Sequence, residues 1–213
     1  CIRDRGDAVF VQTPDGKQIL IDGGPDAART LSELGRAMPF WDRRLDVVIL
    51  TSPDDERLAG LAPVLERYEV DFVSAGAEAG EGSVYERWRE LVMARPLNTA
   101  GTLWAGMDWQ LDEDVALHVL WPPPGEAGPL VLCLSHGEVS VLLMGDATTL
   151  VEEALVAREG RALHSTILHL ARHGAKTSTT APFLQAVTPE AAIITVGDDS
   201  RYPSPAVLAR LID

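Results

Sequence analysis

Four short stretches hold the residues whose types and spacing could do chemistry. Leu20-Ile21-Asp22-Gly23-Gly24-Pro25 closes a β-rich run. Thr51-Ser52-Pro53-Asp54-Asp55-Glu56-Arg57-Leu58-Ala59-Gly60 crowds carboxylates, hydroxyls and a guanidinium into one loop. Leu143-Met144-Gly145-Asp146 places an acid after a glycine, and Leu170-Ala171-Arg172-His173-Gly174-Ala175-Lys176-Thr177-Ser178 carries an imidazole. Carboxylates and imidazoles are ligands for divalent metals and carriers of protons in catalysis. Each stretch follows an apolar run that reads as a strand, and α/β folds place ligands beyond strand ends.

The elements that must position these loops can be read from periodicity. Ala8–Thr13 and Gln18–Ile21 are β-rich runs joined by Pro14-Asp15-Gly16-Lys17, the composition of a hairpin turn. Ala28, Leu31, Leu34 and Met38 have helical spacing over Ala27–Met38. Val47–Leu50 is a continuous apolar run of the kind buried on both faces. Thr51–Glu56 reads as a polar loop. Leu58, Leu61, Leu65 and Tyr68 then mark one helix face. Val70–Val73 reads as a strand and Val84–Ala94 as a helix. A β-rich block follows through Trp109–Leu111, Leu117–Trp121, Leu130–Leu134 and Val139–Met144, with Ser135-His136-Gly137-Glu138 as a turn. Thr149–Ala157, Ala181–Val187 and Pro205–Ile212 read as helices, Ile167–Leu170 and Ala191–Val196 as strands. The order predicts an α/β fold, a four-layer αββα sandwich, in one domain over 1–213.

Bulk properties narrow the function classes. The chain has 213 residues, 46% hydrophobic and 23% charged, with a formal net charge of -14. That field repels polyanions, so a nucleic-acid contact needs a local basic patch, and no dense Lys/Arg run is present. The two cysteines, Cys1 and Cys133, form no metal-binding pair. Cys133 lies in an apolar run and is expected as a buried free thiol. No stretch approaches the roughly 18–20 apolar residues of a membrane span. The chain opens almost inside a strand pattern, without an initiator Met, and is read as a domain cut from a longer protein.

Taken in order, these motifs resemble the metallo-β-lactamase-fold domain of ComEC-type DNA-internalisation competence proteins. The resemblance rests on Gly6-Asp7-Ala8, Leu20–Pro25, Thr51–Gly60, Pro129-Leu130-Val131-Leu132, Leu142–Asp146, Ala171–Ala175, and Ile194 through Tyr202. It implies a binuclear metal-hydrolase scaffold, set in a polytopic membrane protein that imports single-stranded DNA. Active members are taken to degrade the non-transported strand through two metals.

Against that pattern most ligand positions are replaced. Ser52 and Arg57 stand where the loop would offer histidines. Asp54 is retained, and Glu56 is a longer carboxylate. Asp146 is retained at the bridging position. Arg172 replaces the first of a histidine pair and His173 keeps the second. The histidine expected after Arg201-Tyr202 is absent, with Pro203-Ser204-Pro205 there instead. Arginine has no lone pair to offer a metal. A guanidinium about 4 Å from a dication, at an effective dielectric near 20, costs roughly 4 kcal/mol. No cofactor is therefore expected, with Zn or Mn as the alternative at Asp54, Glu56, Asp146 and His173. Arg57 and Arg172 are expected to occupy the vacated metal sites and pair with Asp54, Glu56 and Asp146.

The leading expectation is thus a domain without metal-dependent hydrolysis, structural or DNA-guiding. Its partners would be the rest of the same membrane protein and single-stranded DNA, with no small-molecule cofactor. Alternatives are a divergent metal-dependent nuclease or phosphodiesterase, and a protein-interaction domain. A nucleophile–base pair of Ser52 and His173 is the weaker catalytic reading. Asp22 is expected to support the loop. His118, His136, His164 and His169, and Trp104, Trp109 and Trp121, read as packing or surface residues. Glu152-Glu153 reads as a solvated helix face, and Thr177–Thr180 as a helix N-cap region.

Overall fold

The computed structural model describes residues 7–196 and 201–212. Cys1, Gly6 and the part of the Ile194–Tyr202 motif over 197–200 lie outside the described residues. The chain forms two compact units, Cys1–Leu103 and Trp104–Asp213.

The N-terminal unit is built on a five-stranded sheet in the order β1-β2-β3-β4-β5, with β1 Val9–Gln12, β2 Gln18–Ile21, β3 Arg44–Leu50, β4 Glu69–Ala75 and β5 Ala100–Thr102. β1 and β2 are antiparallel and the other pairs parallel. The hairpin closes where the sequence predicts, with Gly16 at φ 87 and its N–H donating to Thr13 O at 2.9 Å. Glycine enters that region without a Cβ penalty. Helix α1 (Ala27–Ala37) begins at Asp26, whose carboxylate accepts from Ala28 N at 2.9 Å and Arg29 N at 3.1 Å. It ends before Pro39, which cannot continue a helix. Leu34 of α1, Leu58 of α2 (Asp55–Leu58), Leu61 and Val64 of α3 (Leu61–Arg67) and Trp88 of α4 (Gly82–Met93) cluster with Leu20, Leu45, Val48, Val70 and Val73 of the sheet.

The C-terminal unit carries a six-stranded sheet in the order β11-β10-β9-β8-β7-β6, with β6 Asp108–Gln110, β7 Val115–Trp121, β8 Val131–His136, β9 Val139–Leu143, β10 Ile167–His169 and β11 Ala191–Ile193. β6 to β9 form an antiparallel meander, while β9, β10 and β11 run parallel. Its core joins Leu142, Met144 and Leu168 to Val151 and Leu155 of α5 (Thr149–Glu159), Phe183 and Val187 of α6 (Ala181–Val187) and Val207 of α7 (Pro205–Ile212). Two mixed sheets bearing helices give the α/β class that the element order predicts.

Three local readings are corrected. The stretch read as a polar loop, Thr51–Glu56, already turns into α2 at Asp55. The single helix face from Leu58 to Tyr68 is two helices, interrupted at Ala59-Gly60 by a backbone contact described below. Strand β5 has no signature in the sequence, because Ala-Gly-Thr carries no alternating pattern. Cys133 is half-buried, and burial pushes its thiol pKa up. Among the described residues no helix is long and apolar enough to cross a membrane.

Candidate functional site

Parallel pairing sets the geometry of the N-terminal unit. Ile21 of β2 lies beside Ile49 of β3, so the loops starting at Asp22 and Thr51 leave adjacent strand ends. Asp22 N donates to Ile49 O at 2.8 Å, and Asp22 takes φ 60, a conformation that aspartate tolerates better than most residues. Its buried carboxylate accepts from Thr51 N at 2.7 Å and Thr51 Oγ1 at 2.5 Å. The opening of the acidic loop is thereby fastened to the end of β2.

The same carboxylate meets Arg57. Arg57 Nη1 lies 3.0 Å from Asp22 Oδ2 and 3.0 Å from Asp7 Oδ2, with all three side chains buried. Arg57 thus meets carboxylates from outside its own loop. Asp54, exposed on the preceding turn, accepts from Ser52 Oγ at 2.6 Å. The reason is the sense of α2. Its short turn carries Arg57 to the buried side, towards β2 and the start of the chain, and leaves Asp54 and Glu56 on the exposed side. Burial pushes the Asp22 pKa up to about 6, although the Arg57 charge and the Thr51 hydrogen bonds pull it down.

Two glycines allow the loops to approach. Gly23 N donates to Arg57 O at 2.6 Å, and Gly60 N donates to Gly24 O at 3.0 Å. A Cβ on Gly60 would stand 1.9 Å from Gly23 O, and one on Gly23 would stand 2.5 Å from Leu61 N. The Thr30 hydroxyl of α1 donates to Gly23 O as well. The motif Asp22-Gly23-Gly24 thus supports the backbone of the acidic loop by direct contact.

In the C-terminal unit three parallel strand ends are in register, Leu143, His169 and Ile193. Asp146, the Arg172-His173 turn and Thr195 follow them. Arg172 N donates to Gly145 O at 3.0 Å, which ties the turn to the Asp146 loop. Arg172, His173 and Gly174 have φ of 51, 56 and 74, three successive left-handed residues. The turn leaves Arg172 exposed and His173 buried. His173 Nδ1 lies 3.2 Å from Thr195 O and 3.1 Å from Thr195 Oγ1. A proton on Nδ1 satisfies that carbonyl and leaves the ring lone pair on Nε2. The Tyr202 ring meets the His173 ring edge-on at 6.5 Å, and Ser204 N donates to Gly174 O at 2.9 Å. Within either unit, among the described residues, no three His, Cys, Asp or Glu side chains form a metal-ligand group.

Several positioning residues carry no signal in the sequence. Asp7 appears there only as part of Gly6-Asp7-Ala8. Glu152 lies in a run that reads as a solvated face, yet its carboxylate is fully buried and accepts from Thr179 N and from Thr180 N at 2.9 Å. Glu153 beside it is exposed, as a solvated face requires. Ser178 Oγ donates to Ala171 O at 3.1 Å and Ala175 O at 2.9 Å, and Arg210 of α7 donates to Ser178 O at 3.1 Å. The stretch read as an N-cap region does lead into α6 with Thr180 as its N-cap, and it is braced as well against the His173 loop, Glu152 and α7. No spacing rule in the sequence distinguishes Glu152 from Glu153. Among the histidines read as bland, His118 meets Asp108 at 2.7 Å on the surface and His164 meets Thr188 Oγ1 at 2.8 Å.

Comparison with known proteins agrees with this architecture. The chain is 28% identical over 201 residues to Competence protein ComA of Neisseria gonorrhoeae, across 94% of this chain and 27% of the relative. It is 27% identical to Recombination protein 2 of Haemophilus influenzae, across 92% and 24%, and 28% identical to ComE operon protein 3 of Bacillus subtilis, across 94% and 28%. The chain therefore spans about a quarter of the length of the curated relatives it matches. Solved structures share the fold at low identity. Zn(2+)-bound PqqB from Methylobacterium extorquens superposes with a TM-score of 0.57 at 16% identity, covering 98% of this chain and 84% of that one. The diiron β-hydroxylase CmlA from Streptomyces venezuelae gives 0.59 at 13%, covering 90% and 44%. The family model described as the metallo-beta-lactamase superfamily matches residues 2–197. With the sheet of each unit and the loops at its parallel strand ends pointing the same way, this chain belongs to the metallo-beta-lactamase superfamily.

Proposed function

We infer that this chain is a domain of a DNA-uptake protein that keeps the metallo-β-lactamase framework without metal-dependent hydrolysis. Its role is structural or DNA-guiding, within a longer membrane protein and beside single-stranded DNA. The observation that carries this reading is Arg57. A guanidinium stands where the acidic loop would offer an imidazole, and it is engaged at 3.0 Å by both Asp7 and Asp22. A protonated guanidinium cannot ligate a cation. Ser52 has its hydroxyl on Asp54, and Arg172 supplies a second cation. This donor set does not fit a two-metal centre, whose task would be to lower the pKa of a bound water. The names of the relatives support the assignment to competence.

The test is metal analysis of the purified domain together with a nuclease assay in added manganese. Zinc and manganese well below stoichiometric amounts are expected, with no cleavage of single- or double-stranded DNA and no effect of Asp146→Ala. Stoichiometric metal, with cleavage abolished by Asp146→Ala, would overturn the reading. It would favour the second one, a divergent nuclease or phosphodiesterase using Asp54, Glu56, Asp146 and His173. That alternative draws on the imidazole of His173, which, with a proton on Nδ1 facing Thr195, presents Nε2 in its basic form. Absence of DNA binding even at low salt would favour a protein-interaction domain over DNA guiding.

A further inference from the structure

The N-terminal unit exposes an aromatic pair at the sheet edge opposite the acidic loop. Phe40 is 85% exposed and Trp41 74% exposed, in the loop between α1 and β3. Their rings pack edge-to-face, with centroids 4.7 Å apart and planes at 84°. Arg44 and Glu69 are register partners at the starts of β3 and β4, so this loop lies where these strands begin. Asp22 and Thr51 follow the other ends of β2 and β3.

The charges around the pair are unevenly compensated. Asp46 accepts from Lys17 Nζ and Gln18 N, both at 2.8 Å. Asp71 binds Arg44, and Asp42 accepts from Gln18 Nε2 at 2.6 Å and Arg44 N at 3.1 Å. Among the described residues the exposed side chains of Arg43 and Arg67 have no ion-pair partner. Arg43 adjoins the loop, and Arg67 ends α3 at the same edge, where Glu69 adds one negative charge. Free cations beside exposed aromatics are unexpected in a chain whose net charge is -14.

We propose that the Phe40-Trp41 loop is a bilayer contact, inserting both rings at the headgroup–acyl boundary while Arg43 and Arg67 meet lipid phosphates. Tryptophan and phenylalanine favour that boundary, and guanidinium groups pair with phosphate oxygens. Two observations select a membrane over other occupants. Two aromatic side chains supply about 150–250 Å² each, well below the roughly 800 Å² per partner of a stable protein interface. The edge-to-face packing turns one ring edge onto the other ring face, whereas successive stacked bases need open, parallel faces. The contact does not depend on whether hydrolysis survives at the other edge.

Sedimentation with sucrose-loaded vesicles of phosphatidylcholine, with and without phosphatidylglycerol, tests this on the purified chain. The wild type is expected to partition onto both, and a Phe40→Ser/Trp41→Ser variant to bind about tenfold more weakly or worse. Arg43→Gln/Arg67→Gln is expected to weaken binding chiefly to the phosphatidylglycerol vesicles. Brominated lipid is expected to quench wild-type fluorescence more than that of Trp41→Phe, a variant that keeps the aromatic surface. Equal partitioning of wild type and the double serine variant would overturn the proposal. So would oligothymidylate binding, or concentration-dependent self-association, that the double serine variant loses.

Discussion

Burying a guanidinium between two carboxylates takes charges out of water, and removing the central partner leaves the acids uncompensated. Arg57→Ala is therefore expected to destabilise the chain by about 3–5 kcal/mol, read from urea unfolding monitored by circular dichroism. An unchanged midpoint would show that Asp7 and Asp22 do not need the cation. The neighbouring titration has a definite sign. Asp22 holds a folded pKa of about 6, above its ordinary 3.8, so the fold disfavours the ionised form. The stabilising contribution of the protonated group is complete below about 3.8 and is lost as the pH rises through about 6. The loss amounts to about 3 kcal/mol, since one unit corresponds to about 1.4 kcal/mol. Asp22→Asn should flatten the stability profile over that window, and an identical slope in the variant would refute the assignment. The proposed replacement of ligands at Ser52, Arg57 and Arg172 rests on residue types alone, because a lone pair is a property of the side chain. The acids that face Arg57 could not, because that depends on which way α2 turns.

At the level of elements, the loops are held by backbone contacts that only glycine permits. Gly60→Ala would drive a Cβ into Gly23 O, at 1.9 Å, and both groups are backbone. We expect loss of soluble folded protein, or a melting temperature many degrees lower, whereas Gly35→Ala, whose Cβ meets nothing within 4 Å, should be tolerated. The same contact explains why one apparent helix face became α2 and α3. Hydrophobic spacing continues through the break, since Leu58 and Leu61 both reach the core, but the chain must bend to bring Gly60 onto Gly24. Helix α5 carries a second support. Glu152→Gln replaces one acceptor oxygen of a buried carboxylate by a donor facing backbone N–H groups, and should cost about 1–3 kcal/mol of unfolding free energy. Glu153→Gln, on the exposed side, should change little, and equal effects at the two sites would contradict the buried role of Glu152. Strong periodic segments such as α1 and α6 were legible because their buried stripes are local. The three-residue strand β5 was not, because its pairing with β4 comes from the sheet rather than from its own residues.

For the molecule as a whole, the acidic balance limits how DNA can be met. A chain of net charge -14 should bind single-stranded oligonucleotide weakly, through few phosphate contacts. Fluorescence anisotropy across a salt series should give a shallow slope of log K against log salt, about -0.7 for each phosphate neutralised. A steep slope would reveal a basic track that the described surface does not suggest. The α/β class and the superfamily were written in the sequence, because apolar periodicity sets the elements and the short motifs keep their order along the chain. The proposed loss of metal-ligand side chains rests on the sequence too, since it compares residue types at the motif positions. Tertiary structure alone decided that Asp7 and Asp22 hold Arg57, that Glu152 braces the turn leading into α6, and that His173 rests on Thr195. Each of these contacts joins residues far apart in the chain, and no local pattern encodes which distant partner a buried polar group will find.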